Sequence, residues 1–429
     1  MRLFEILVKR KAKLHQFDKI IWGERYGSRP EMWADACRDA ARMRLEFLRN
    51  ETGIDLREAG RCYTDTSDPK RLTTGIEQKI GSAAVPLGVG NPLRVNGEYA
   101  KGEFYIPLAT NEAALIAGLN RGRKAVNQAG GVATKITRDW MTRAPVLETS
   151  SIDEAREIAE EIKRKGSLFE EMKRAAESGS KVSRLLDIQP YQLGRRLHMR
   201  FYFQTGDSMG MNSATKYSSA AVKVLLDKYK CLQMLSLSGN MCTDKKAGHV
   251  NVLLGRGKSV EAEVLASRDV IKGVFDVTPE AAARLCFVKN YEGSSLAGTV
   301  TGFNLNAANT IAAMFIATGQ DAAQIVESSS CFTRAEAVGG DLLFGITLPC
   351  LEMATVGGGT EHGTAKECLQ LLGCQGPGKR PGDNARKLAE IMAAAVLCQE
   401  LNLLCAEAHG HELAESHIRM ARGKEDGKN

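Results

Sequence analysis

The sequence predicts an α+β protein of two or three domains, with a compact α+β insert in the middle of the chain. Three observations carry this. The chain has 429 residues, more than one simple core holds. Helix, strand, helix and strand patterns follow one another over 151–238 and run into the central segment 231–260, with its apolar run Leu232–Leu237. Beyond that run, Asn304–Ala317 and Ala385–Ala408 are apolar on most faces and read as buried helices.

The elements follow in order. Residues 1–60 show helical spacing, with Trp33, Cys37, Ala41, Leu45 and Leu48 on one stripe. Residues 62–110 turn to short apolar runs broken by Gly, Pro and Asn, the pattern of strands and turns. Asn111–Leu119 reads as a helix stopping near Gly122, and Val132–Ile136 returns to a sheet. Ser151 with Glu154 is a capping box that opens a helix to about Lys165. Leu197–Phe203 alternates as a half-buried strand does. The turn GDSMGMN, 206–212, follows, and then a helix from Ser213 to Tyr229. Leu232–Leu237 reads as a buried strand, and Val260–Val264 continues a central sheet. Pro279–Phe287 opens a helix, Gly319 ends the buried one before it reaches Asp321, and the three glycines of EMATVGGGT, 352–360, let backbone pass something closely.

Composition narrows the class. The chain is 43% apolar and 25% charged, as soluble globular proteins are. Its net charge of +7 suits an acidic ligand, but no stripe of basic residues interleaved with aromatics points to nucleic acid. Eleven cysteines without a CxxC pair argue against a disulfide framework and a structural zinc site, and fit a reducing compartment. The start, MRLFEILVKRKAKLH, lacks the apolar run and cleavage site of a signal peptide. The nearest approach to a membrane span, Ile391–Cys398, is stopped by Gln399 and Glu400. A cytoplasmic protein without metal, membrane or nucleic-acid partner is expected.

The chemistry centres on 231–260. Ser238, Gly239 and Asn240 follow the apolar run, and then Asp244, Lys245 and Lys246 stand side by side. Two readings compete: a solvated turn, or an anion site whose lysine stabilises a developing negative oxygen. Glu77, between Ile76 and Ile80, is either a surface glutamate or a desolvated proton donor. Asp321 either caps the next helix or enters the core and pairs with a buried lysine. Arg143 precedes a proline-marked boundary, and Ser180 and Lys181 open a basic patch that continues through Arg184, Arg195, Arg196 and Arg200. The GDSMGMN turn is not the Rossmann fingerprint, although N–H groups at a helix start suit a diphosphate. His409, His411 and His417 are too irregular for a metal motif; His417 is either idle or a mobile general acid.

Eight motifs in order resemble the first class of 3-hydroxy-3-methylglutaryl-coenzyme A reductases: GIEQKIG, GDSMGMN, SGNMCTDKK, GRGKSV, GTVTGFN, TGQDAAQ, TVGGGT and ESH, from about residue 70 to the end. The resemblance implies four catalytic groups: Glu77, Lys245, Asp321 and His417. It implies that Arg143, Ser238, Asn240, Asp244 and Lys246 hold the hydroxymethylglutaryl end. It also implies that Ser180, Lys181, Asp207, Met209, Gly210, Met211, Asn212 and Arg422 hold NADPH, with Lys181 near the 2′-phosphate. The implied fold is a large, mostly helical domain with a central helix and sheet, formed by 66–144 and 248–429 and interrupted by a ferredoxin-like NADP-binding domain at 145–247. A helical region, 1–65, precedes it. The implied activity is four-electron reduction of hydroxymethylglutaryl-CoA to mevalonate and CoA by a homo-oligomer whose active sites lie at the subunit interface. Departures from the family pattern include Gln78, GNP at 90–92, DKKAGHVN with His249, EHGTAKE at 361–367, and Ala421 and Gly423 beside Arg422. They leave two rivals: a reductase of another acyl-CoA thioester, and a non-catalytic acyl-CoA or nucleotide binder.

Overall fold

The computed structural model describes residues 12–64 and 76–410. The chain divides into two compact units, one of residues 1–86 with 361–366 and the other of residues 87–360 with 367–429.

In the first unit the expected helices form. Helix α1 (Phe17–Tyr26) and α2 (Trp33–Thr52) bury Phe17, Ile21, Ala36 and Ala40 against each other. Arg44 is buried with them. Its guanidinium pairs with Asp18 and donates to the carbonyls of Leu14 at 2.9 Å and Lys79 at 3.2 Å, so the buried cation is satisfied.

The second unit holds eleven strands among the described residues. They are β1 (Leu87–Asn96), β2 (Lys101–Ala109), β3 (Val132–Arg143), β4 (Val146–Glu148), β5 (Arg184–Leu193), β6 (Arg196–Gln204), β7 (Gln233–Ser236), β8 (Gly257–Ala266), β9 (Gly302–Phe303), β10 (Cys331–Val338) and β11 (Asp341–Leu351). One set runs β2-β1-β3-β8-β11-β10-β9 and the other β5-β6-β4-β7. Strand β3 belongs to both: Ala133–Trp140 pair with β8, and Met141–Arg143 pair with β6. Each set has its own apolar core. One gathers residues from Leu93 to Cys405, and the other runs from Met141 to Leu232.

Helix α3 (Leu115–Gln128) follows β2. It starts later than Asn111 and runs through Gly122 instead of ending there. A Cβ on Gly122 would lie 1.9 Å from the carbonyl oxygen of Cys398, so this glycine serves helix contact and not termination. In the second core, α4 (Ile152–Lys163) is capped as expected, with the Glu154 N–H donating to Ser151 Oγ at 3.1 Å. Helices α5 (Ser167–Glu177) and α6 (Met211–Lys228) complete it. Strand β6 is buried along most of its length because both neighbours pair with it, so the expected half-buried alternation is absent. Strand β7 also departs from expectation: it is a short edge strand paired only with β4, and all four of its residues are exposed in the single chain.

Helix α7 (Ala307–Thr318) is buried and ends at Gly319 with φ 69°, as expected. The last helix, α8 (Asp383–Ala408), is by length and composition apolar enough to cross a membrane, with a mean hydropathy of 1.5 in its most apolar window. Gln399 and Glu400 therefore do not interrupt it as the sequence suggested. That window is 89% buried, and the helix lies in the first core against β8 and β3. Its two buried acids have backbone work. Glu390 accepts the N–H groups of Glu98, Tyr99 and Ala100 at 2.6–3.0 Å. Glu400 accepts those of Leu305 and Asn306 and the Thr333 hydroxyl at 2.6–2.8 Å.

Candidate active site

The loop between β7 and the helix at His249–Leu254 is wound tightly. Asn240, Thr243 and Lys245 all take positive φ, at 63°, 47° and 58°. Such a run of non-glycine residues persists only when its surroundings over-determine it, and it marks functional loops. The winding turns the Lys245 side chain to Asp321, with Nζ 3.1 Å from Oδ2. Asp321 meanwhile caps the turn that follows it, accepting the Ala323 N–H at 3.0 Å. Asp321 therefore both caps and pairs, but its lysine is exposed and not buried as the second reading expected, because the pair opens to solvent.

Lys245 and Asp321 line a cavity of about 530 Å³. The other walls are Ser208–Ser213 at the start of α6, Gly319 and Gln320, and Ala354 with Val356–Thr360. Two sequence motifs, GDSMGMN and TVGGGT, thus face one space. Gly210 caps α6 at φ 89°, and a Cβ there would meet Thr205 Cγ2 at 2.2 Å. Only glycine fits this turn, which presents the first N–H groups of an eighteen-residue helix to the cavity. Thr205 Oγ1 and Ser208 Oγ each bond the other residue's carbonyl, at 2.8 and 3.0 Å, and stiffen it.

Asp207, expected at the cofactor, is not among the lining residues. Its carboxylate is taken up by the N–H groups of Gly378, Gly382 and Ala385 at 2.9–3.1 Å, which tie the turn to the start of α8. Ser180 Oγ accepts the N–H groups of Val182 and Ser183, forming a tight turn that leaves Lys181 exposed. That turn adjoins the cavity turn, since a Cβ on Gly206 would lie 2.7 Å from Val182 Cγ1.

Behind Lys245 lies a buried charge cluster that the sequence reading missed. Arg256, fully buried, pairs through Nη1 with Glu327 at 2.6 Å and with Glu352, and through Nη2 with Asp244 at 2.9 Å. The three carboxylates come within 4.8 Å of one another, a spacing that also suits a cation, but the guanidinium already pairs with all three. Burial pushes the Glu327 and Glu352 carboxyls above the usual range, Glu352 well above it. Burial acts the same way on Asp244, but Arg256, a hydrogen bond from Gln324, Lys245 and Arg143 together outweigh it and hold that carboxyl below its ordinary value. Arg143 joins from the end of β3, with Nη1 3.8 Å from Asp244. The signal that could have found Arg256 is its place inside GRGKSV, between two glycines.

Ser238 and Lys246 lie on the same loop as Lys245, as does Asn240, without lining the cavity; Lys246 Nζ donates to the Asp244 carbonyl at 3.1 Å. Glu77 belongs to the first unit, where it is exposed in a turn and not enclosed by apolar side chains. His417 and Arg422 lie outside the described residues.

The family model for hydroxymethylglutaryl-coenzyme A reductase matches residues 40–422. The chain belongs to this reductase family. Among its relatives, the 3-hydroxy-3-methylglutaryl-coenzyme A reductase of Pyrococcus abyssi is 42% identical over 421 residues, covering 98% of this chain and 99% of that one. The Aeropyrum pernix reductase is 45% identical over 410 residues, covering 95% of each. Of solved structures, the class II reductase of Streptococcus pneumoniae bound to NADPH matches with a TM-score of 0.63 at 20% identity, over 85% of this chain and 96% of that one. That likeness concerns the fold alone, and the much higher identity to the archaeal reductases fits a class I reductase, as the motifs implied.

Proposed function

We propose that this chain reduces (S)-3-hydroxy-3-methylglutaryl-CoA to mevalonate and free CoA, using two NADPH. The observation that carries this reading is the Lys245–Asp321 pair opening into the cavity that the GDSMGMN turn walls. The residues fit the cofactor: a glycine-only turn at a helix start suits a diphosphate, and exposed Lys181 beside it suits a 2′-phosphate. Met209, Gly210, Met211 and Asn212 hold the cofactor in this reading, with Ser180 and Arg422. Asp207 acts on the cofactor only by shaping the turn.

Bound there, NADPH supplies the hydrides. Lys245 donates from Nζ to the thioester oxygen and stabilises the charge that builds on it. Asp321, 3.1 Å from that ammonium, keeps it aimed. Glu77 delivers the proton that makes the final alcohol, and His417 protonates the departing thiolate of CoA, which accounts for the two protons consumed. Arg143, Ser238, Asn240, Asp244 and Lys246 hold the hydroxymethylglutaryl end.

The small domain, 145–247, is ferredoxin-like in this reading. The order strand, helices, strand, strand, helix, strand supports it, as does the arrangement β5-β6-β4-β7 over a separate apolar core. In this reading the large domain is 66–144 with 248–429, preceded by a helical region at 1–65, whereas the compact division groups 66–86 and 361–366 with that region. The working form is a homo-oligomer with active sites at the subunit interface. Exposed Met234 and Leu235 on the edge strand beside the lysine loop support that, being apolar surface a second copy would cover. The protein works in the cytoplasm, a reading supported by ten cysteines that are all free among the described residues.

The test follows NADPH and NADH consumption with hydroxymethylglutaryl-CoA and a panel of other acyl-CoA thioesters, with mevalonate identified as product. Turnover of another thioester but not of hydroxymethylglutaryl-CoA rejects the reading, and so does absence of all turnover.

A further inference from the structure

We propose that Glu327 is a positioning residue for Lys245, gripping its backbone while Asp321 grips its ammonium; this rests on the reductase reading above. The short segment from Asp321 to Ser328 carries both grips. Asp321 Oδ2 meets Lys245 Nζ at 3.1 Å, and Glu327 Oε1 accepts the Lys245 N–H at 2.7 Å. The same segment also holds the neighbour, since Gln324 Nε2 donates to Asp244 Oδ1 at 3.0 Å. Lysine head and lysine backbone are thus referred to one rigid turn.

The need for a second grip is visible in the loop. Lys245 at φ 58° and β-branched Thr243 at φ 47° sit in a region that such residues leave unless held. An ammonium on a long flexible stem, paired only through its tip, does not hold its own backbone in that conformation. Glu327 does, because it is itself immobile. It is fully buried, and the oxygen that accepts the Lys245 N–H also accepts Arg256 Nη1 at 2.6 Å. Arg256 is anchored in turn by Glu352 and Asp244. Glu327 does not line the cavity, so whatever it does for the reaction passes through Lys245.

The test compares E327Q and E327L with the wild-type chain. Glutamine keeps an oxygen for the Lys245 N–H, and leucine keeps the volume without it. Turnover is followed with NADPH and hydroxymethylglutaryl-CoA, and amide hydrogen exchange is followed over 241–248 without ligand. In E327L, kcat falls about a hundredfold, the scale of a catalytic group misplaced by about an ångström. The KM for NADPH stays within about twofold, and 241–248 exchanges faster while α6 is unchanged. E327Q keeps kcat within about threefold and keeps the protection. The proposal is overturned by unchanged exchange of 241–248 in E327L, by a loss of kcat that only tracks the folded fraction, or by E327Q as impaired as E327L. If the wild-type chain does not turn over hydroxymethylglutaryl-CoA, the reductase reading fails, and the exchange arm still decides the grip.

Discussion

Lys245 and Asp321 face each other at 3.1 Å while both side chains remain partly open to solvent, 44% and 39% exposed. A pair this exposed contributes about 0–1 kcal/mol to stability. In the function proposed above, its value lies in chemistry. K245A should therefore lower kcat by about 10²–10³, leave the KM for NADPH nearly unchanged and barely move the melting temperature. D321N should lower kcat by about 10². Steady-state kinetics beside a thermal melt separate these outcomes from simple unfolding.

Gly210 allows a different kind of test. Alanine at φ 89° is strained, and its Cβ would run into Thr205. G210A should cost about 1–3 kcal/mol of stability and raise the KM for NADPH more than kcat falls, because the turn forms a wall of the cavity separate from the lysine loop. Urea unfolding and cofactor titration measure the two effects.

For Lys181 the expected effect is selective. The side chain is exposed, so the 2′-phosphate contact proposed for it is screened by salt. K181E should raise the KM for NADPH about tenfold at low ionic strength, leave the KM for NADH alone, and lose much of its effect at high salt. Cofactor kinetics at two salt concentrations check this.

The buried cluster gives a pH dependence with a defined sign. Glu352 sits well above its ordinary value of 4.5, with burial the main cause, Arg256 opposing it and Glu327 adding to it. The folded chain therefore holds this proton more tightly than the unfolded chain does, and stability falls as pH rises from 4.5 toward the raised value. Asp244 runs the other way: its lowered carboxyl stabilises the fold above 3.8, and that contribution is lost as pH falls through the depressed value. E352Q removes the first effect. Its urea midpoint should change less than that of the wild-type chain between about pH 5 and about pH 8.

Local signals in the sequence carried much of the site. Asp244, Lys245 and Lys246 stand out because their charges are adjacent, and GDSMGMN because glycine sits where a helix begins. Ser151 with Glu154 marked its helix start because both capping partners lie within one turn. What stayed hidden depends on distant partners. Arg256 is buried only because Glu327 and Glu352, 71 and 96 residues further on, fold over it. Gly122 reads as a helix stop until the Cys398 backbone is seen against it. Strand β7 looks like core from its leucines, yet an edge position with one neighbour leaves it uncovered.

Strand β3 belongs to both sheets, pairing with β8 along one stretch and with β6 at its end. Neither core can melt without fraying the strand that the other depends on. The two halves of the second unit should therefore lose structure in a single cooperative transition, with matching enthalpies from calorimetry and from the van't Hoff slope. The same continuity carries Arg143, the last residue of that strand, to Asp244. A strain applied to the smaller sheet is thus felt at the lysine loop.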